Sequence, residues 1–407
     1  MRKEKHHLFL LTFVLIILLR VTYLNVLKEL PNYLSDYNGH VYVFLPHFFS
    51  GSFWEGWRSM PYCGFHLVTL FFYQILRMPL DDSAAYAACT FAAFSFLIFY
   101  WMIQRFAAAK ALAVESTTSA LLSFCLCILQ PLSAYWLDAH SYSMNPIYNP
   151  TYMCVRGFSL LCFFLVCDLW GAQRSKEYQG TFFRVETGVK KYYVLLAVLL
   201  LLSAVAKPTF AETFIPAVAF LMLGGWLSRI LKKDPDTKAY FQNCLTFLLC
   251  ALPTLAYILL QYCTYFLFGE SYGNGGSVVI TSFMEIWKHY SQNVLLSMAL
   301  SLAFPLMILL LDASFFLNSD EGKLALVCVL VGFCESALLG EEGAKFLHFN
   351  FIWPLLSAML LLFAVSVLHL LRLEGTERKP LWKTVLLGFA WFIFCLHVLS
   401  GLTILNF

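Results

Sequence analysis

Long apolar runs constrain this chain more than any other feature. Twelve windows, at about 8–27, 64–78, 83–104, 111–131, 150–170, 192–207, 213–231, 243–268, 293–312, 324–339, 351–371 and 385–405, are apolar almost throughout. A helix needs about 20 such residues to cross the hydrocarbon core of a bilayer. Inside that core the backbone must satisfy its own hydrogen bonds, which leaves helices as the economical solution for segments this long. Composition agrees: 60% of the residues are hydrophobic and 13% charged, against about 45–50% and 25% in soluble domains. So little charge cannot cover a water-facing surface. A string of soluble domains, a disordered chain, a collagen and a disulfide scaffold are all excluded. The net charge of +3 is too small and scattered for a nucleic-acid surface. The expected fold class is an all-α polytopic membrane protein, with residues 1–407 forming a single integral membrane domain.

The 13 cysteines are odd in number, and most lie in apolar runs, among them Cys125, Cys127, Cys162, Cys250, Cys328 and Cys395. Cysteine in that setting acts as a small hydrophobe, and without paired CxxC spacing no disulfide framework or metal site is expected. The N-terminus pairs a basic stub (Arg2, Lys3, Lys5) with the run from Leu8 to Leu27. It lacks a small-residue cleavage site and is long enough to span, so it reads as an uncleaved first helix.

The 15-residue window 64–78 is short for a span, and whether it crosses decides the sidedness of everything after it. Lysine and arginine decide, because cytoplasmic loops carry their excess. If 64–78 does not cross, nineteen of the 27 basic residues fall on the N-terminal side of the membrane. Lys28, Arg58, Arg77, Arg156, Lys207, Lys288 and Lys345 are left on the other side, and Arg20 lies within the first helix. If it does cross, the densest basic loops move outside. The sequence therefore predicts about eleven transmembrane helices, N-terminus cytoplasmic and C-terminus extracytoplasmic. It also predicts a long first extracytoplasmic loop (28–82) with interfacial helices, in which 64–78 lies along the membrane or dips into it.

The outer loops hold the polar chemistry. In LPNYLSDYNGHVYVFLPHFFSGSFWEGWRSMPYCGFH, Asp36 is followed at i,i+4 by His40 and then by His47. A carboxylate at a low-dielectric boundary holds a proton more tightly than in water and can serve as a general base; it also suits a helix N-cap. Asp36 and His40 share a helical face, but with no third ligand evident no metal is expected. Trp54 and Trp57 suit membrane-interface anchoring or stacking on a sugar.

In YWLDAHSYSMNPIYNPTYMCVRG, Asn149 followed by Pro150 marks a helix start, whose free amides and dipole favour a phosphate. Arg156 follows within the apolar boundary, where a cation is costly and invites a functional reading; snorkelling is the alternative. Asp138 and His140 stand before this element, Asp138 either as a second carboxylate or as an ordinary loop residue. AKPTFAETF repeats the design, with Lys207 beside another helix start. The loop GESYGNGGSVVITSFMEIWKHYSQN opens with a glycine-rich turn suited to a lid and continues as a short amphipathic helix. Its GNGG lacks the Lys and Ser/Thr of a phosphate-cradling loop, so no nucleotide site or cofactor is expected. In CESALLGEEGAKFLHFNFIWP, Glu335 lies within a span with Lys345 the nearest partner in sequence, and His348 and Asn350 crowd the same outer end.

This layout resembles the GT-C superfamily of polytopic glycosyltransferases, which includes protein O-mannosyltransferases and aminoarabinose transferases. The features that carry the resemblance are a first helix, a long loop with an acid (YLSDYNGHVY), a proline-containing approach to an interfacial helix (RSMPYCGFHLVTLFFYQIL) and a return to a loop bearing Asp138. It covers residues 1–210, with the first outer loop 28–82 as the catalytic element; 211–407 would be variable C-terminal helices.

The resemblance implies a polyprenyl-phosphate sugar donor and an extracytoplasmic glycan, lipid or protein acceptor. Asp36 would act as catalytic base with Asp138 as second acid. Arg156, Lys207, Lys345 and Asn149 would bind the donor phosphate. His40, His47, Trp54, Trp57, His348 and Asn350 would line the substrate site. Many family members carry two adjacent acids where this chain has Asp36–Tyr37. A transporter or lipid flippase, or a non-catalytic protein of the same fold, are the rival readings. The absence of an N-x-[ST] sequon favours a bacterial plasma membrane.

Overall fold

The computed structural model describes residues 2–28, 36–50, 53–60, 62–139, 149–174, 178, 180–183, 185, 190–264, 277–375 and 379–404. Each of the eleven expected crossings is a helix or a helix pair. In chain order these are α1 (Arg2–Lys28), α2 (Leu80–Ala109), α3 (Ser116–Ile128), α4 (Pro150–Arg174), α5 (Lys190–Ala206), α6 (Thr209–Leu231) and α7 (Thr237–Tyr262). They continue with α8 (Val294–Ser301) and α9 (Ala303–Leu311), α10 (Asp320–Leu338), α11 (Ile352–Glu374) and α12 (Leu381–Ile404).

Among the described residues, seven helices are long and apolar enough to cross a membrane, or eight if α8 and α9 count as one bent span. The chain is an integral membrane protein. Of the other expected crossings, α3 has 13 residues and α5 has 17, while α10 has 19 but carries Asp320, Glu321, Lys323 and Glu335. The only strands among the described residues are Val278–Ile280 and Leu339–Glu341, a two-stranded antiparallel ribbon pairing Val279 with Gly340. This ribbon is a small departure from an all-α fold.

Two helices form the centre. The apolar window of α11 is 94% buried and that of α4 is 83% buried, whereas those of α1, α6, α7 and α12 are between 22% and 33% buried. A long helix enclosed by protein on every side belongs inside a bundle; the others leave most of their apolar surface uncovered, as lipid-facing helices do. α11 packs most extensively on α10, and α4 on α5 and α2. Two glycines permit close approaches of backbone to backbone between helices. A Cβ at Gly332 would lie 2.7 Å from the Leu355 Cα, and one at Gly401 would lie 1.7 Å from the Ile128 carbonyl oxygen. α8 and α9 meet at an angle of 69°. Pro305 explains the bend, since its ring excludes the carbonyl four residues earlier, that of Ser301, from a regular turn.

Local signals set the helix starts. Ser319 accepts from the Gly322 amide at 2.9 Å, with Asp320 and Glu321 in the first turn of α10, as an N-cap and a helix dipole require. The first loop is itself helical in short pieces: Asp36–Asn38, a π-helical stretch Gly39–Phe44, then Leu45–Ser50 and Phe53–Ser59. The 64–78 window forms Gly64–Leu70 continued by a π-helical Phe71–Ile75, too short to count as a crossing.

Candidate functional site

The ends of α1 and α5 and the starts of α4, α6 and α11 meet at one end of the bundle. Asp36 is carried there by its neighbours. Tyr37 is fully buried, stacked on Tyr23 of α1 with ring centroids 4.7 Å apart and tilted against Phe65 at 6.2 Å. The Asn38 amide donates to the Val26 carbonyl at 3.3 Å. The short helix is thereby pinned to the end of α1, and Asp36 stays half-buried at its start.

Asn149 precedes α4 and caps it. Its Oδ1 accepts from the Tyr152 amide and from the Thr151 hydroxyl, both at 2.8 Å. Its Nδ2 donates to Asp36 Oδ2 at 2.9 Å. Thr151 Oγ1 in turn accepts from Lys207 Nζ at 3.2 Å. An unbroken chain of hydrogen bonds therefore runs from the first-loop carboxylate to a cation at the α5–α6 junction.

Lys207 is only 5% exposed. Its ammonium lies 4.4 Å from the Trp353 ring centroid and 5.9 Å from that of Tyr62, a setting that favours a cation. Burial pushes its pKa down to about 8, while the carboxylates of Asp36 and Glu212 pull it back up. An ammonium of lowered proton affinity therefore stands beside a carboxylate and a helix start, the kind of place where helix amides favour an anion.

His40 adjoins this group and is buried, with its ring centroid 5.3 Å from that of His66. Burial, reinforced by the neighbouring His66 ring and the Lys207 ammonium, holds His40 well below the usual histidine range. Burial likewise lowers His66, to about 3, and its ring stacks on Phe48 at 5.2 Å. His66, Thr151, Tyr62 and Trp353 join the site without a motif that singles them out in the sequence. Thr151 was accessible in principle from its position two residues beyond the Asn149 cap. A lone histidine in an apolar helix carries no comparable signal.

The structure gathers Asp36, His40, Asn149 and Lys207, sets Trp57 in the neighbouring apolar cluster that Tyr62 joins, and gives most of the other expected site residues different surroundings. Arg156 is 3% exposed and donates from Nη1 to the Cys127 carbonyl at 2.9 Å and from Nη2 to the Leu126 carbonyl at 2.8 Å. It therefore closes the end of α3, whose last carbonyls have no partner within the helix. It also lines a small cavity with Tyr152, Gln130 and apolar side chains of α11, Phe363 among them. Asp138 has a φ of 48°, and its main-chain carbonyl accepts from Ser291 Oγ at 2.9 Å and the Asn293 amide at 3.1 Å. His140 and the GNGG turn lie outside the described residues.

Trp57 is 5% exposed and donates to the Tyr257 hydroxyl at 3.2 Å, whereas Trp54, stacked on it at 4.8 Å, is 54% exposed. The pair is a platform with one open face. His47 is half-buried on the Leu45–Ser50 helix. Lys345 and the exposed His348 lie on the 3-10 segment Gly343–His348 that follows the ribbon. Asn350 donates to Glu341 Oε2 at 2.8 Å. The expected Glu335–Lys345 pairing takes a different form: Glu335 Oε2 has no hydrogen-bond partner among the described residues, and the charge it feels is that of Glu212 on α6.

Among the described residues no group of three or more His, Cys, Asp or Glu side chains is placed to hold a metal ion. No family model and no curated protein matches the chain.

Proposed function

We propose that this protein is a GT-C-type membrane glycosyltransferase. It would move a sugar from a polyprenyl-phosphate donor to an extracytoplasmic acceptor, with eleven spans, the N-terminus in the cytoplasm and a bacterial plasma membrane as its home. One observation carries the reading. Asp36, from the first loop, and the buried Lys207, from the α5–α6 junction, are joined through Asn149 and Thr151 at a shared helix start. A base and an anion-binding cation at the same end of a lipid-embedded bundle are what transfer from a lipid phosphate requires.

In the proposed reaction the acceptor hydroxyl attacks the anomeric carbon as its proton passes to the Asp36 carboxylate. The bond from that carbon to the phosphate oxygen breaks, and the configuration inverts. The electron pair leaves with the polyprenyl phosphate. The Lys207 ammonium and the amide end of α4 oppose the charge that grows there, and electrostatic preorganisation of this kind is the largest contribution in many enzymes. The Trp54–Trp57 platform suits the apolar face of a sugar, and His40 and His66, both neutral, leave the positive charge to Lys207.

The test is transfer by the purified protein from undecaprenyl-phosphate sugars, wild type against Asp36→Asn. Loss of transfer is expected in the variant; full activity there removes Asp36 from the mechanism. Topology is checked separately in a cysteine-depleted background. A cysteine at Ser59 should react with an impermeant reagent from outside the cell, and one at Ser175 only from inside.

A second reading, as a transporter, draws on the 69° break between α8 and α9, since broken helices recur at transport sites. Net flux of a lipid or solute in proteoliposomes, insensitive to Asp36→Asn, would favour it.

A further inference from the structure

The helix cap at Asn149 fixes which end of its side chain can face Asp36. A backbone amide can only donate, so the atom that receives the Tyr152 N–H must be the Asn149 carbonyl oxygen. The Thr151 hydroxyl donates to the same oxygen. The Asn149 NH2 group is thereby turned toward Asp36, where it meets Oδ2 at 2.9 Å. Asn149 is itself only 2% exposed and Thr151 is fully buried, so neither side chain is free to re-orient toward water. Lys207 closes the arrangement by donating to Thr151 from the far side.

We infer that Asn149 is a positioning residue for Asp36, and that the α4 cap is the part that sets the base and the Lys207 cation in register. The inference rests on the glycosyl-transfer reading for its catalytic meaning and on the hydrogen-bond geometry for its existence. One oxygen of Asp36 is committed to Asn149, so the other is the one presented to an acceptor hydroxyl. Thr151 does for Lys207 what Asn149 does for Asp36: it holds the ammonium at a fixed point beside the start of α4. A helix cap is normally exchangeable among Asn, Asp, Ser and Thr with little change in stability. Here the exchange is asymmetric, because an aspartate at 149 would still cap α4 but would turn a carboxylate oxygen toward the Asp36 carboxylate.

That asymmetry supplies the experiment. The purified full-length protein is unfolded thermally in detergent between pH 5 and 9 as wild type, Asn149→Asp, Asp36→Asn and the double variant. Two facing carboxylates share one proton at low pH and repel once it is lost, so the Asn149→Asp protein should fall further below wild type as pH rises. In the double variant the second carboxylate is gone and the difference should become flat with pH. A cap-only role predicts that Asn149→Asp tracks wild type at every pH, and that result overturns the proposal.

Transfer from undecaprenyl-phosphate sugars gives the second readout. The acidic limb of the pH–rate profile should move by about 1 unit or more toward higher pH in Asn149→Asp. Thr151→Val should raise KM for the donor by about tenfold, and Thr151→Ser should restore it. A shifted unfolding profile with no transfer in wild type would leave the Asn149–Asp36 coupling standing and remove the glycosyltransferase reading. Unshifted profiles in both assays, with active wild type, would do the reverse.

Discussion

Replacing Lys207 with methionine should make the protein more stable and, on the proposed mechanism, sharply slow sugar transfer. The structure buries this ammonium and pushes its pKa from 10.5 to about 8. At about 1.4 kcal/mol per pH unit that corresponds to about 3 kcal/mol of cost for keeping the charge in the folded protein. The cation–π contact with Trp353, 4.4 Å away, returns about 0.5–2 kcal/mol of it. Lys207→Met, nearly isosteric, should therefore gain about 1–3 kcal/mol near pH 7. The sign follows from the direction of the displacement. Below pH 8 the folded and unfolded chains both carry the proton, and the whole cost is present. Between pH 8 and 10.5 the folded protein sheds it and the cost fades. Above 10.5 nothing is left.

Thermal unfolding in detergent from pH 6 to 10.5 should accordingly show the variant melting higher than wild type near neutrality, the two curves converging in alkali. Transfer should fall by about 10²–10³, the usual consequence of removing one preorganised group that faces developing charge. A variant that melts lower at pH 7, or a gain that persists undiminished to pH 10.5, would refute the claim that Lys207 is a desolvated cation retained at the expense of stability.

Other sites test other parts of the architecture. The Asp168 carboxylate, fully buried near the end of α4, accepts from the Thr181, Phe182 and Phe183 amides and the Tyr178 hydroxyl at 2.7–2.8 Å. Asp168→Ala strands three main-chain donors at about 1–3 kcal/mol each, and should expose the 178–183 segment to limited proteolysis. Arg156→Met should leave the Leu126 and Cys127 carbonyls without their partner and lower the melting temperature. A Michaelis-constant effect at unchanged stability would instead place Arg156 on the donor phosphate. Gly401→Ala drives a methyl group into the Ile128 carbonyl and should loosen α12 from α3, read as new reactivity of a cysteine placed at Ile128. His40 and His66 fold as neutral imidazoles with depressed pKa values. Stability should hold above pH 6.5, the ordinary histidine value, and fall as pH drops below it. His66→Phe should weaken that acid dependence.

How much of this could be seen in the sequence varies with the kind of physical signal. The apolar windows place every described long helix, because hydrophobicity over about 20 residues is dictated by the lipid and needs no knowledge of neighbours. The Asn149–Pro150 helix start is equally local: a capping side chain and a first-turn proline lie side by side in the chain, and Asn149 does cap α4. Arg156 shows where local reasoning stops. Its position inside an apolar run marks it as a costly cation, but the run cannot reveal that the end of α3, some thirty residues earlier in the chain, supplies two carbonyls to receive it. Glu335 is the converse case, since proximity in sequence suggests Lys345 and the fold brings Glu212. His66 and Trp353 belong to the site solely through packing, and an alternation of apolar residues gives no reason to single them out.

The pieces that sequence did isolate share a property that explains why they converge. Asp36, Asn149 and Lys207 all stand at helix boundaries, where backbone amides and carbonyls are left over and a polar side chain can be satisfied without entering the lipid. A bundle that turns most of its surface to hydrocarbon has few such places, and its helix ends are confined to the two faces. Polar residues excluded from the interior must collect there. Three of them, drawn from three separate segments of the chain, occupy one connected network instead of three separate caps. Independent capping would not require Lys207 to be buried beside Thr151 and Trp353 when the α5–α6 junction could have left it in water. The burial of that one cation is therefore the best reason to read the cluster as a site for an anion, and it is the property that Lys207→Met puts to the test.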